Sequence, residues 1–256
     1  MKKVLRILIA ACLIGLVVMG GVVAYQKLSQ TKDTVGGKQG SSPNSKNELT
    51  ALLPAENEAD IYDNLDYAIK KNNDAVAWIE IPETDINNIV MQGDENDYYL
   101  RRNEDKENDI FGCYFADYEC GFGKYDDFSQ NTIIYGHSDS TDNPDGKRFA
   151  QLYRFTDPEF AKKVPFIYVS TPEGRYKFEI FSTFYTDTNF DYIQVNINEE
   201  QKLELANKAK SLSTYNYNVE PSLSDKILTL STCTVKYGTD ANYRFVIMAK
   251  LCPEEV

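Results

Sequence analysis

Three residues carry side chains suited to acyl transfer, and each stands at the boundary of an apolar run. Cys233 closes KILTLSTC (226–233), and a polar stretch, 234–242, follows it. A thiol at a strand end, at the lip of a barrel, is rigidly held yet reachable. His137, the one histidine of the chain, closes NTIIYGH (131–137) in the same way, ahead of a polar loop. Arg244 lies eleven residues beyond Cys233 and begins the next apolar run, so a short hairpin-like connection sets it beside the thiol. Singly, each has a plainer reading: a packed core thiol, a structural imidazole, a surface charge. Together they make a nucleophile, a general acid/base and an oxyanion donor.

The remaining chemistry-bearing residues narrow the field. A single histidine argues against multi-histidine zinc and di-iron sites. Formal net charge is −12, from 27 basic and 39 acidic residues, and it becomes −16 from residue 28 onward. So acidic a domain repels phosphate backbones, and nucleic acid is not an expected partner. Cys113, Cys120 and Cys252 have no disulfide-scaffold spacing; Cys113 and Cys120 are either a pair or two packed thiols.

The elements that must position these residues are mostly strands. VAWIEI (76–81), NNIVMQ (87–92), DIFGCYFA (109–116) and NTIIYGH come first. PFIYVS (165–170), RYKFEIFSTFYT (175–186), KILTLSTC and YRFVIMAKL (243–251) complete eight. Thr171-Pro-Glu-Gly174 has turn chemistry and predicts a hairpin. Helices are expected over 56–71, where Ile61, Leu65 and Ile69 recur every four residues, over 147–163 and over 198–212. Eight strands with few helices indicate a mainly β (α+β) domain, a closed barrel or sandwich, and not an alternating βαβ sheet.

The N-terminus belongs to a different environment. Ile7 to Ala24 is an 18-residue run without charge, preceded by Lys2, Lys3 and Arg6. At 1.5 Å per residue it reaches about 27 Å, enough to cross a hydrocarbon core. Residues 1–27 therefore read as a cytoplasmic stub and signal anchor, with a cleaved signal as the alternative. Residues 28–47, rich in Gly, Ser, Lys and Gln, read as a tether, and 48–256 as the folded domain, placed outside the membrane.

Thr229-Leu230-Ser231-Thr232-Cys233 resembles the TLxTC pattern of sortases, the membrane-anchored cysteine transpeptidases of Gram-positive cell walls. Tyr135-Gly136-His137 upstream and Arg244 downstream fit the rest of that signature in order. The helix before the first strand, the NTIIYGH segment and the long helix between the sixth and seventh strands resemble class B in particular. Asp157-Pro158-Glu159-Phe160 is similar to the lid motif of pilus-building sortases but follows the histidine, and reads as an ordinary helix start. The resemblance implies an eight-stranded sortase-type barrel with Cys233, His137 and Arg244 catalytic. It implies contacts to substrate from Asn96, Leu100, Tyr135 and Ser231, and no cofactor. The implied partners are surface proteins bearing an x-Pro-x-Thr type motif and the amine of a peptidoglycan precursor. A sortase of another class, a secreted cysteine hydrolase and a non-catalytic binding domain are the competing readings.

Overall fold

The structure is a computed structural model that describes residues 49–253, except 51, 53, 140 and 239–241. The apolar run 7–24 and the tether 28–47 lie outside the described residues. Among the described residues no helix is long and apolar enough to cross a membrane.

Eight strands are present in the described part: β1 (Ala75–Glu80), β2 (Asn87–Met91), β3 (Tyr114–Ala116), β4 (Asn131–Tyr135), β5 (Phe166–Thr171), β6 (Gly174–Asp187), β7 (Ile227–Cys233) and β8 (Tyr243–Leu251). They close into a barrel in the order β1-β2-β3-β4-β7-β8-β6-β5. Closure leaves no edge strand to aggregate. The expected hairpin is present, with Thr171 facing Gly174 across the β5–β6 turn. Two of the pairings, β2–β3 and β4–β7, are parallel.

Among the described residues three α-helices surround the barrel: α1 (Glu58–Lys71), α2 (Pro158–Lys163) and α3 (Glu199–Leu212). α1 starts where Asn57 accepts from the Asp60 amide, and it ends on Lys70 and Lys71, which suit the negative end of the helix dipole. Its Ile61 and Ala68 pack with Trp78, Ile89 and Phe115 on the outside of β1–β3. α3 begins with a capping box in which Asn198 and Gln201 satisfy each other's amides. Its Leu205, Ala206 and Ala209 cover Phe181 and Phe184 of β6 and Val246 and Met248 of β8.

Two expected elements come out shorter. The strand placed at 109–116 is a strand only over Tyr114–Ala116. Asp109 accepts from the Phe111 amide in a turn, and Gly112 adopts φ +55, where a Cβ would lie 2.5 Å from the Tyr99 carbonyl. The helix placed at 147–163 is a 3-10 segment, Arg148–Thr156, followed by α2. Asp157 caps α2 through the Glu159 amide and Pro158 occupies its first turn, so the chain must restart there. The Asp157-Pro158-Glu159-Phe160 motif is thus a helix start.

The barrel interior draws on all eight strands, and which residues enter it sets where the chemistry can be. Ile134 of β4, Leu228 and Leu230 of β7, and Phe245, Ile247 and Ala249 of β8 point inward. Ile133 and Tyr135 of β4, and Val246 and Met248 of β8, belong instead to the clusters packed on the outer wall. By the two-residue period of a strand, Cys233 and Arg244 share that outer face.

Candidate active site

β7 lies between β4 and β8, and the register of these pairings assembles the three sequence-selected residues. Cys233 and Arg244 are direct partners across the antiparallel β7–β8 pair. Facing side chains in such a pair have Cβ atoms about 5 Å apart. The parallel β4–β7 pair runs from Asn131 opposite Ile227 to Tyr135 opposite Ser231. Continued by two residues, this register sets His137 level with Cys233 on the neighbouring strand. The site is therefore on the outer wall of the barrel at the ends of β4 and β7, and not at the lip of its lumen.

The backbone around the thiol is fixed from both sides. The Cys233 carbonyl accepts from Ser138 Oγ at 2.7 Å and from the Tyr153 hydroxyl. Thr232 Oγ1 donates to the Gly136 carbonyl at 2.8 Å, and the Gly136 amide donates to Ser231 O at 3.3 Å. Gly136 must be glycine, because a Cβ there would lie 2.7 Å from the Phe149 ring. Past the strand end, Asp142 accepts from Thr234 Oγ1 at 2.5 Å and from the Val235 amide at 3.0 Å. The loop after the histidine thereby ties down the loop after the cysteine.

His137 is held by its ring. Nε2 donates to the Leu100 carbonyl at 2.7 Å, which places the proton of the neutral imidazole on Nε2 and leaves Nδ1 as the basic nitrogen. Burial pulls the imidazole below its ordinary value of 6.5; the Leu100 carbonyl opposes this, and Arg101 reinforces it. Arg244 is 8% exposed, and its Nη1 donates to the Tyr243 carbonyl at 2.9 Å.

The four cysteines in the described region are free thiols, so Cys113 and Cys120 do not pair. Both are buried, and burial pushes Cys120 up to about 12 and Cys113 well above its ordinary value. A thiol held so firmly protonated is a poor nucleophile. Cys233 is half-buried at the end of β7. Among the described residues no group of three or more His, Cys, Asp or Glu is placed to hold a metal ion.

The other sequence-selected residues fall into three places. Leu100, in the 3-10 turn Tyr98–Arg101, is the partner of His137. Asn96 and Tyr135 meet on one carboxylate: Asp117 Oδ2 accepts from Asn96 Nδ2 at 2.7 Å and from the Tyr135 hydroxyl at 2.9 Å. Ser231 is buried, with its hydroxyl 2.8 Å from that of Tyr192. Burial pushes the Tyr192 phenol up, and the positive charge of Arg244 opposes this. Asp117, Asp142, Tyr153 and Tyr192 escape a reading of the sequence. Each acts on a partner 18 to 93 residues away, and nothing local separates Tyr153 or Tyr192 from the other tyrosines.

A thiol, an imidazole and a guanidinium brought to one place on a barrel wall define cysteine acyl-transfer chemistry. The sortase-domain family model matches residues 79–252, and the chain belongs to the sortase family. Within that family its likeness is to class B, and it is a cysteine transpeptidase. It is 36% identical to sortase B of Listeria monocytogenes over 183 residues, which is 71% of each chain. Its fold superposes on the Staphylococcus aureus sortase B–substrate complex with a TM-score of 0.66 and 28% identity, over 76% of this chain and 87% of that one. A sortase B complexed with triglycine matches equally, at TM-score 0.66 and 28% identity over 76% and 88% of the two chains.

Proposed function

We propose that this transpeptidase is held at the cell membrane by residues 1–27, cleaves an x-Pro-x-Thr type sorting motif after Thr, and joins the surface protein to a peptidoglycan amine. The register that sets His137 and Arg244 on either side of Cys233 is the observation that carries the reading. The substrate and triglycine complexes of the related sortases B support a peptide acyl donor and a glycine-type amine acceptor.

The Cys233 thiolate, its proton passed to His137 Nδ1, attacks the Thr carbonyl, and the resulting oxyanion accepts hydrogen bonds from the Arg244 guanidinium. The C–N bond breaks as the His137 imidazolium gives its Nδ1 proton to the leaving amine, and a thioester to Cys233 remains. The incoming amine then attacks the thioester, His137 Nδ1 takes the amine proton, and Cys233 leaves as thiolate. No cofactor enters either half. Asn96 and Tyr135, joined through Asp117, and Leu100 and Ser231, flanking the histidine and cysteine, would form the wall that receives the motif.

Incubating the purified full-length chain with a library of x-Pro-x-Thr-x peptides and triglycine tests this reading by mass spectrometry. Cleavage after Thr, with a thioester adduct on Cys233 and a glycine-ligated product, is expected. Uncleaved peptides across the library would overturn it. For the anchor, protease treatment of intact protoplasts is expected to remove the folded domain, and a fully protected domain would place it on the wrong side.

The pH dependence follows from the direction of the His137 shift. The productive pair carries one proton between thiol and imidazole, so the rate is bell-shaped with limbs that belong to the pair. On the acid limb the imidazole gains a second proton. Burial pulls that ionisation down, so the limb is expected below pH 6.5. The imidazolium that the leaving amine needs is then a minority form at neutral pH, and turnover is slow even with saturating peptide. A kcat/KM profile whose acid limb lies well above pH 7 would contradict this.

A further inference from the structure

We propose that the buried Arg148–Glu104 ion pair is a positioning device for His137, locking together the two chain segments that hold the imidazole. One segment is the loop that begins with the 3-10 turn Tyr98–Arg101, whose Leu100 carbonyl receives the Nε2 proton at 2.7 Å. The other is the 3-10 segment that begins at Arg148, whose Phe149 amide donates to the His137 carbonyl at 2.9 Å. Ring and backbone of the one histidine are thus fixed by two pieces of chain far apart in sequence. Arg148 joins them: Nη1 reaches Glu104 Oε1 at 2.7 Å and Nη2 reaches Oε2 at 3.3 Å.

The pair is built as a fixture. The Glu104 side chain is 1% exposed and that of Arg148 15%. A two-pronged arginine–carboxylate contact fixes orientation as well as distance. Arg148 sits at φ +54, a left-handed conformation that a non-glycine residue keeps only when its surroundings enforce it. The guanidinium also lies over the Tyr114 ring, 5.3 Å from its centre. Glu104 is anchored from behind, where Asn72 Nδ2 donates to its carbonyl at 2.9 Å. A buried ion pair is weak evidence for stability, since apolar residues of similar volume often serve as well. Its two attachments, both ending on His137, give it a geometric purpose. The charged groups facing the imidazole are Arg101 and Asp109 of the loop and Arg148 itself.

The inference rests on His137 being the acid–base, and the experiment separates the two. With one histidine, the 15N spectrum of the labelled full-length chain carries one imidazole signal set. At about pH 8, where the ring is neutral, the wild type is expected to show the Nε2–H tautomer alone. Glu104→Gln and Arg148→Lys are each expected to populate both tautomers and to lower kcat on the order of tenfold, with KM within about twofold, because a small misplacement of a catalytic group is costly. Glu80→Gln breaks the Arg175–Glu80 pair (2.6 Å) at the other end of β6 from the Thr186–Arg244 pairing, and should leave tautomer and kcat unchanged. Should Glu104→Gln fail to fold, Arg148→Lys, which keeps the buried charge paired, decides on the same readouts. A folded variant with the wild-type tautomer and kcat would overturn the positioning role. Full activity in His137→Gln would instead overturn the acid–base reading and leave the tautomer result standing.

Discussion

Cys233→Ala is expected to abolish transpeptidation and the thioester adduct, with a loss of about 10⁴-fold or more in kcat, because the proposed nucleophile is gone. The fold should survive. Cys233 is the last residue of β7 and only half-buried, and its anchoring contacts, from Ser138 and Tyr153, go to its backbone carbonyl, which alanine keeps. The double variant Cys113→Ala/Cys120→Ala is the counterpart. Those thiols are buried and held protonated, so it should keep most of the activity while losing some stability. The stability loss comes from the Ile133 amide, which donates to Cys120 Sγ at 3.2 Å and would lose that partner. Peptide cleavage followed by mass spectrometry checks both. A Cys233→Ala enzyme with more than a few per cent of the wild-type rate would remove Cys233 as nucleophile.

Arg244→Lys is expected to lose activity nearly as severely as Arg244→Ala, about 10²–10³-fold in kcat for one oxyanion donor. The reason is geometric. The β7–β8 register sets Arg244 directly opposite Cys233, and its Nη1 is already engaged with the Tyr243 carbonyl. A planar fork can keep that bond and still present other N–H groups in fixed directions, whereas an ammonium is a flexible point charge. Steady-state kinetics with a cleavable peptide measure the effect, read in kcat with KM little changed. A lysine variant within about threefold of wild type would show that only positive charge is needed there.

Much of this arrangement is legible without coordinates. The apolar runs ending in His137 and Cys233, the turn at 171–174, and the four-residue recurrence of Ile61, Leu65 and Ile69 are all local signals. Each corresponds to an observed element. The helix lying between β6 and β7 begins within one residue of its expected start, because the Asn198–Gln201 capping box is itself a sequence pattern. The segment at 109–116 misleads because an apolar run overrode a turn signal. Asp109 and Gly112 needed a turn, and Gly112 is pressed against the Tyr99 carbonyl, a residue outside the run. The helix at 147–163 breaks at Asp157-Pro158, a cap and a first-turn proline that were in plain view.

The sequence by itself singled out Cys233, His137 and Arg244 as the side chains suited to the chemistry, and determined that strands carry them and that Cys233 and Arg244 flank one short connection. Those properties follow from residue type and from spacing along the chain. The family resemblance already implied the closed eight-stranded barrel, and the tertiary structure alone decided that β4 runs parallel to β7 and that the site faces outward. β7 explains why. Ile227 to Thr232 are all buried, because the barrel interior packs one face while Tyr192 and the other residues covering the outer wall pack the opposite one. A strand buried on both sides has no polar alternation to tell inside from outside. The direction of Cys233, the level of His137 and the carboxylates that hold the surrounding loops all depend on partners tens of residues away, and only pairing in three dimensions supplies them.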